Sequence, residues 1–407
     1  MTLIAPLPSF EKRAGRPGFD AAGLTRISAV IQREIDQGQI PGAAILLARG
    51  GEIGYQKTFG QQQADPAVPM SDSSIFRIYS MTKPIVSVAV MMLVERGDLL
   101  LADPVAKWLP EFANLQVARE SIDAMGQRTL QLEPCLRPMT IQDLLRHTAG
   151  LTYGIFGATT LVKSAYSASG IESSRITNQT LVQGLSALPL AFQPGTVWEY
   201  SRATDVLGAL LERMAGSSLD EILHERIFGP LKMPDSGFWV PPEQQHRIAE
   251  PFPLDPLTLK PVRLINVREQ PGFLSGGGGL VSTLADYFRF ASMLRQRGEL
   301  DGVRLLSRKT VEFMTGDHLA GLPQGTQGPM YLPGPGYGFG LGFAVRNTVG
   351  AAATPGSIGE FHWSGLAGTF FWIDPTEDVI AIWMMQAPEQ RDRFRHLVRN
   401  LVQAALL

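Results

Sequence analysis

The sequence predicts an α/β protein in which a central antiparallel sheet, flanked by helices, carries an inserted, mostly helical domain. Three observations lead to this class. The chain opens with a helix and a strand hairpin, it closes with a meander of strands and an amphipathic helix, and short helical segments dominate the middle. Residues 1–82 and 255–407 are therefore predicted to form one α/β domain from both chain ends, and residues 83–254 the mainly helical domain.

The N-terminal elements are predicted from apolar periodicity and turn residues. After about eighteen irregular residues, a helix is expected from Asp20 to Gly38, because apolar side chains recur at spacings of three and four. These side chains belong to Leu24, Ile27, Ile31 and Ile35. Two strand-like runs follow at residues 41–49 and 52–59, and the glycine pair between them favours a tight hairpin turn.

The next stretch, Ile75–Gly97, begins with a short segment that contains aromatic residues and continues as a predicted apolar helix that ends at glycine. Ser80 and Lys83 fall in its first turn, where residues three apart share a face, so the lysine can reach the serine hydroxyl. Pro84 is compatible only with that first turn, which puts Ser80 at the positive end of the helix dipole. We therefore expect Ser80 to be a nucleophile and Lys83, with a pKa lowered by partial burial and nearby cations, to be its base.

The middle of the chain shows few convincing strands. From Leu99 to about Glu250 we expect short amphipathic helices, separated by Pro, Gly and Ser clusters, with two of them at Ile141–Arg146 and Ala203–Ala215. The segment Gly154–Ile176 is rich in small and polar residues and is predicted to be a mobile surface loop.

Strand signals return beyond Pro251. The four-glycine run in Gly276–Ser282 leads into a helix capped near Ser282 or Thr283. Since no phosphate-binding or dinucleotide pattern accompanies these glycines, they indicate close backbone packing beside a cavity. The closing elements are predicted strands at residues 339–346, 361–364, 369–374 and 379–386, followed by an amphipathic helix over residues 394–405.

Composition excludes several classes of function. With 36 basic and 38 acidic residues, the formal net charge is -2, so neither nucleic acid nor an anionic membrane is expected as a partner. No apolar run approaches the roughly 20 residues that span a bilayer, and no secretion signal is evident. The single cysteine, Cys135, fits a reducing compartment, so a cytoplasmic location is expected. None of the six histidines has a metal-binding spacing, and neither a metal nor a cofactor is expected.

Two further segments carry candidate groups for acyl transfer, which needs a second proton-handling group and donors for an oxyanion. The first, Pro194–Ser201, brings Tyr200 to the start of a new helix. The second, Phe361–Gly368, is a strand whose small residues allow a substrate to approach its backbone closely. Each segment also has a purely structural interpretation. In the first, Tyr200 would be a packed aromatic residue, and the second would be a glycine turn between strands.

In sequence and order, these segments resemble the serine β-lactamase and penicillin-binding-protein superfamily. Ser80-Met-Thr-Lys83 matches its nucleophile motif and Tyr200-Ser its tyrosine motif. Trp363-Ser-Gly365 resembles the Trp-Gly-Gly of family VIII carboxylesterases, which are esterases with a class C β-lactamase-like fold and the closest match. The resemblance covers nearly the whole chain and extends to statin-type acyltransferases. It implies a β-lactamase-like fold.

The resemblance also implies roles for particular residues. Ser80 would attack an ester carbonyl, while Lys83 and Tyr200, sharing one proton near neutral pH, would pass the serine proton to the leaving alcohol. The backbone N–H groups of Ser80 and Leu366 would form the oxyanion hole. The residues expected to contact the substrate are Trp363, Ser364 and Gly365 on the strand, and Tyr153, Phe156 and Phe273 as walls of an apolar acyl pocket.

Two departures from the β-lactamase pattern affect specificity. Arg202 stands where those enzymes have the asparagine of Tyr-x-Asn, and Trp363 stands where they have the lysine of Lys-Thr-Gly. Loss of that cation favours uncharged substrates. Arg202 is expected to face solvent or an acidic neighbour on the following helix, with a role as a replacement cation as the other possibility.

The sequence therefore predicts a serine carboxylesterase that hydrolyses small, mostly uncharged esters through an acyl-enzyme on Ser80. An acyltransferase or a weak class C-like β-lactamase is the alternative among enzymes. A non-catalytic binding module is the alternative from another class. The oligomeric state is left open.

Overall fold

The computed structural model describes residues 18–173, 175–322 and 325–407. The irregular N-terminal segment predicted above lies almost entirely outside these residues. Among the described residues, no helix is both long and apolar enough to cross a membrane. The helices are α1 Ala21–Asp36, α2 Thr82–Arg96, α3 Ile141–Leu145, α4 Leu161–Ala168, α5 Asn178–Ser186, α6 Ala203–Ala215, α7 Leu219–Leu223, α8 Leu284–Arg295, α9 Arg308–Met314 and α10 Arg391–Gln403.

The strands are short except for the N-terminal hairpin. They are β1 Gly42–Arg49, β2 Glu52–Ala64, β3 Ala67–Pro69, β4 Phe76–Arg77, β5 Gln116–Ile122, β6 Arg128–Pro134, β7 Val281–Ser282, β8 Glu299–Leu300, β9 Val303–Arg304, β10 Tyr337–Phe339, β11 Ala344–Arg346, β12 Phe361–Ser364, β13 Phe370–Asp374 and β14 Val379–Met385.

Eight strands form one sheet in the order β10-β11-β12-β13-β14-β1-β2-β3. The two chain ends meet where β1 pairs antiparallel with β14, from Ala43 opposite Met385 to Arg49 opposite Val379. Every neighbouring pair in this sheet is antiparallel. The central antiparallel sheet with flanking helices predicted from sequence is confirmed, whereas the predicted domain boundaries stay a prediction.

Both faces of the sheet centre are covered, because side chains along a strand alternate between two separate cores. In β1, Ile45 and Leu47 pack with α1 and α10 on one face, and Leu46 packs into the larger core on the other. This two-sided burial explains why β1 and β14 are almost continuously apolar rather than alternating. The larger core continues into the helical half, where α2, α3, α5 and α7 contact α6.

Several boundaries were predicted closely. Asp20 caps α1 by accepting a hydrogen bond from the Gly23 amide at 2.7 Å. Gly97, with a φ of 79°, ends α2 in the left-handed conformation. Thr283 caps α8. The predicted helix at Ala203–Ala215 and the predicted strand at 361–364 coincide with α6 and β12.

Three expectations are wrong. The middle segment contains a strand hairpin, β5–β6, which apolar periodicity did not reveal because much of it is exposed and its cross-strand contacts include a Ser121–Thr129 hydrogen bond. The surface loop predicted over 154–176 contains α4, capped by Thr160. The strand predicted at 339–346 is a tight pair, β10 and β11, because Gly342 turns the chain with a φ of 98°.

Candidate active site

Ser80 lies on a 3₁₀ turn, Tyr79–Met81, between β4 and α2. The helix itself begins two residues later, so Ser80 precedes the first turn in which it was predicted. Tyr79 has a φ of 44°, a left-handed conformation that costs free energy in a non-glycine residue. Ser80 is partly exposed, whereas Lys83 is 1% exposed. The turn therefore presents the serine at the surface of a site whose lysine is buried.

The structure brings Ser80, Lys83 and Tyr200 together. The Tyr200 hydroxyl is 2.6 Å from Ser80 Oγ, and Lys83 Nζ is 3.4 Å from the same oxygen. Lys83 donates its better hydrogen bonds elsewhere, to the Gly277 carbonyl at 2.5 Å and to the Tyr153 hydroxyl at 3.2 Å. Of the two groups, Tyr200 thus donates the shorter hydrogen bond to the serine oxygen.

The charge state of Lys83 differs from the sequence-based expectation. Burial alone would lower the pKa of Lys83, but the Tyr153 and Tyr200 oxygens and the Asp205 carboxylate outweigh burial and raise the pKa above its ordinary value. The expected lowering is therefore wrong. With its pKa raised, the lysine is an ammonium near neutral pH.

Asp205, in the first turn of α6, supports the lysine indirectly, a role that sequence reasoning missed. Its carboxylate accepts hydrogen bonds from the Gly277 amide at 2.8 Å and from Ser275 Oγ at 2.6 Å. This fixes the glycine turn whose carbonyl binds Lys83. A Cβ at Gly277 would lie 2.8 Å from the carboxylate, and one at Gly276 would lie 2.6 Å from the Thr204 carbonyl. The close backbone packing predicted for the glycine run is confirmed.

The turn after β12 packs against the backbone that carries Ser80. A Cβ at Gly365 would lie 2.4 Å from the Ile78 carbonyl and 2.3 Å from Thr369 Oγ1. The Gly365 amide also donates to the Thr369 carbonyl at 2.7 Å. Leu366 follows in this turn and is partly exposed, as is Ser364. The predicted oxyanion donors thus lie on two segments that Gly365 holds in contact.

Aromatic side chains surround Tyr200. Tyr153 lies 5.3 Å from it between ring centroids, Trp363 lies 5.6 Å away and Phe156 lies 6.1 Å away. Trp198, fully buried and stacked on Tyr200 at 6.1 Å, was not predicted, although it is two residues from Tyr200 in sequence. The Trp363 indole N–H is buried without a hydrogen-bond partner. Three of the predicted contact residues therefore surround Tyr200, whose hydroxyl contacts Ser80.

Phe273 contacts Arg202, with its ring centroid 6.0 Å from the Arg202 guanidinium carbon. Arg202 pairs with Asp205 at 3.3 Å, which confirms the acidic neighbour expected on the following helix. It also forms an ion pair with Glu172. Arg202 is only 8% exposed, so it does not face solvent.

The histidines near the site stay neutral. Burial and the Lys83 charge hold the pKa of His147 well below its usual value, and its ring lies 5.1 Å from that of Tyr200. Burial and three arginines lower the pKa of His362 in β12 in the same way. Over residues 18–173, 175–322 and 325–407, no three His, Cys, Asp or Glu side chains are grouped as metal ligands. The side chains that hydrogen-bond Ser80 Oγ are those of Tyr200 and Lys83.

Comparison with known proteins gives consistent matches over nearly the whole chain. A family model described as Beta-lactamase matches residues 27–405. Esterase EstB of Burkholderia gladioli is 33% identical over 376 residues, which cover 88% of each chain. Lovastatin esterase of Penicillium rubens is 27% identical over 382 residues, covering 89% of this chain and 92% of that protein. The solved structure of EstCE1, described as a hydrolase with promiscuous acyltransferase activity, superposes with a TM-score of 0.77 at 28% identity, covering 94% and 98% of the two chains.

Proposed function

Since the chain belongs to the beta-lactamase family, we propose that it hydrolyses small, mostly uncharged carboxylic esters through a covalent acyl-enzyme on Ser80. Membership of this family and the β-lactamase-like fold confirm the resemblance noted from sequence, and the chain is a serine hydrolase. One observation carries the proposal: Ser80 Oγ lies 2.6 Å from the Tyr200 hydroxyl, with the Lys83 ammonium 3.4 Å away. The similarity to esterases supports an ester as the substrate.

In the acylation step, Ser80 Oγ attacks the ester carbonyl and its proton passes to the Tyr200 oxygen. Tyr200 serves as the base because it is the closer group and because Lys83, with a raised pKa, already holds its proton. The Lys83 ammonium stabilises the negative charge on the Tyr200 oxygen before the transfer. Tyr200 then returns the proton to the departing alkoxide, which leaves as a neutral alcohol.

The oxyanion formed by this attack is bound by the backbone N–H groups of Ser80 and Leu366. Backbone donors held rigidly where charge develops stabilise such intermediates strongly. Deacylation repeats the sequence with water, which loses a proton to Tyr200 as it attacks. Collapse of the second tetrahedral intermediate releases the acid and returns the proton to Ser80 Oγ.

The surroundings of the nucleophile favour uncharged substrates. Tyr153, Phe156 and Trp363 present apolar ring surface, and Trp363 replaces the cation that binds the carboxylate of a β-lactam. Burial of a carboxylate without a paired cation costs several kcal/mol, on the order of the penalty for an isolated buried ion. A neutral ester avoids this cost.

A second candidate function is acyl transfer to an alcohol instead of water. The similarity to EstCE1, a hydrolase described as having promiscuous acyltransferase activity, favours it. The same acyl-enzyme would serve both reactions, and the acceptor that reaches it decides the product. Added butanol distinguishes them, because acyl transfer yields a butyl ester and shortens the lifetime of the acyl-enzyme.

The test of the proposal is Ser80→Ala. We expect this variant to lose hydrolysis of p-nitrophenyl butyrate and labelling by a fluorophosphonate probe, with an unchanged circular dichroism spectrum. Ser73→Ala, at an exposed serine on the approach to the same turn, is the matched control and should keep both. Activity that persists in a clean Ser80→Ala preparation would refute the mechanism. Wild type that is not labelled would support the non-catalytic module, and efficient nitrocefin hydrolysis would support a β-lactamase.

A further inference from the structure

Arg202 is a second buried cation close to the catalytic lysine. Its guanidinium carbon lies 5.0 Å from the centre of the Tyr153 ring, and the hydroxyl of the same tyrosine accepts a hydrogen bond from Lys83. Arg202 also lies 6.0 Å from the centre of the Phe273 ring. Because Tyr153 and Phe273 are the expected walls of the acyl pocket, the guanidinium stands directly against that wall.

The positive charge of Arg202 is neutralised by two carboxylates, one fully buried and one partly exposed to solvent. Asp205 is fully buried and its other oxygen is occupied by the glycine turn, so it belongs to the scaffold of the site. Glu172 lies on the segment after α4, with 24% of its side chain exposed. Asp205 and Glu172 supply two negative charges beside the positive charges of Lys83 and Arg202. Glu172 is the one of these four that borders solvent.

The ion pair of Arg202 and Glu172 has polar atoms that make no hydrogen bond. The Nε atom of Arg202 and the Oε1 atom of Glu172 are both buried and lack a hydrogen-bond partner. A guanidinium donor without an acceptor is suited to a carboxylate ligand. The carboxylate of Glu172 repels such a ligand, since two anions close together in a poorly solvated site disfavour each other.

We propose that Glu172 determines the specificity of the acyl pocket: it cancels the charge of Arg202 and thereby excludes acyl groups that end in a carboxylate. The inference rests on the proposed esterase function and adds to it the substrate class that is rejected. It predicts that loss of the Glu172 charge makes this wall more positive, so that it accepts half-esters of dicarboxylic acids. A carboxylate at the end of the acyl chain would then pair with Arg202.

The experiment compares two substrates with acyl chains of six carbons, p-nitrophenyl hexanoate and p-nitrophenyl hemiadipate. The readout is the ratio of kcat/KM for the anionic ester to that for the neutral one. We expect Glu172→Gln and Glu172→Ala to raise this ratio at least about tenfold, as one uncompensated charge at a partly buried site predicts. Added salt should reduce the gain. Glu52→Gln, which removes the same charge from an exposed position on the β1–β2 hairpin, should leave the ratio at the wild-type value.

A binding measurement makes the result independent of turnover. In the Ser80→Ala background, calorimetric titration with monomethyl adipate should show tighter binding when Glu172→Gln is added. An unchanged ratio, or equal affinity for monomethyl adipate, would overturn the inference while the esterase function stands. Absence of hydrolysis of both esters by the wild type, together with absent labelling of Ser80, would instead refute the proposed function, and the titration would still decide the role of Glu172.

Discussion

Replacement of Tyr200 by phenylalanine tests which group accepts the serine proton. The change removes the only one of the two candidate groups within 3 Å of Ser80 Oγ, since the tyrosine oxygen is at 2.6 Å and Lys83 Nζ is at 3.4 Å. Lys83 is then the remaining base, and it can act only as the free amine. Tyr153 and Asp205 are still present in this variant, and both favour the ammonium form.

The size of the loss follows from that charge state. An ordinary lysine pKa of about 10.4 leaves roughly one part in 10³ as free amine at pH 7.5, and a raised pKa leaves less. We therefore expect Tyr200→Phe to lower kcat about 10³-fold at pH 7.5, within the range of about 10²–10⁴ that positioned acid–base catalysis provides. The residual rate should rise about tenfold per pH unit up to pH 10, because each unit raises the free-amine fraction by that factor.

The assay is hydrolysis of p-nitrophenyl butyrate from pH 6 to 10, corrected for spontaneous hydrolysis. Tyr55→Phe, which removes a hydroxyl that bonds Ser28 on the far face of the sheet, is the control and should keep wild-type kcat. Lys83→Met should cost a similar factor, and the double variant should also lose the pH-dependent residual rate, because Lys83 is the base that remains in Tyr200→Phe. A Tyr200→Phe variant within tenfold of wild type, or one whose residual rate does not respond to pH, would refute the assignment of Tyr200 as the base.

Two predictions concern packing and pH. Gly365→Ala should lower both kcat and the melting temperature, because its Cβ would lie 2.4 Å from the Ile78 carbonyl. Gly321→Ala is the control and should change neither quantity, because no atom lies within 4 Å of the Cβ it would add. An active and stable Gly365→Ala variant would contradict the prediction and show that the turn can move to make room. Burial raises the pKa of Asp286 to about 6, so its contribution to stability is present below the unfolded pKa of about 3.9 and is lost as pH rises through about 6. Urea unfolding should show that wild type loses on the order of 2–3 kcal/mol relative to Asp286→Asn between pH 4 and pH 7.5, and parallel stability curves would contradict this sign.

The parts of the fold that are apolar on one or both faces were predictable from sequence. Strands β1 and β14 form the sheet centre and helix α10 packs against it, so all three have strong apolar patterns. Their bounds were predicted within a few residues. The hairpin β5–β6 was missed because only Val117 and Ala118 of it are buried, while most of its other side chains are exposed or form polar cross-strand pairs such as Ser121 with Thr129. Such pairs become visible only when the register is known.

The site also has a part that sequence could predict and a part that it could not, and the pKa of Lys83 shows the physical reason. The Ser80 to Lys83 contact is a local property of the 3₁₀ turn and the start of α2, so the sequence spacing could anticipate it. The groups that set the charge of Lys83 come from three other segments, Tyr153 before α4, Tyr200 before α6 and Asp205 within α6. None is near Lys83 in the chain, and all bear oxygens that favour the ammonium. The pKa shift inferred for Lys83 from its own helix was therefore of the wrong sign, because the electrostatics of a buried group are fixed by tertiary neighbours rather than by the motif that contains it.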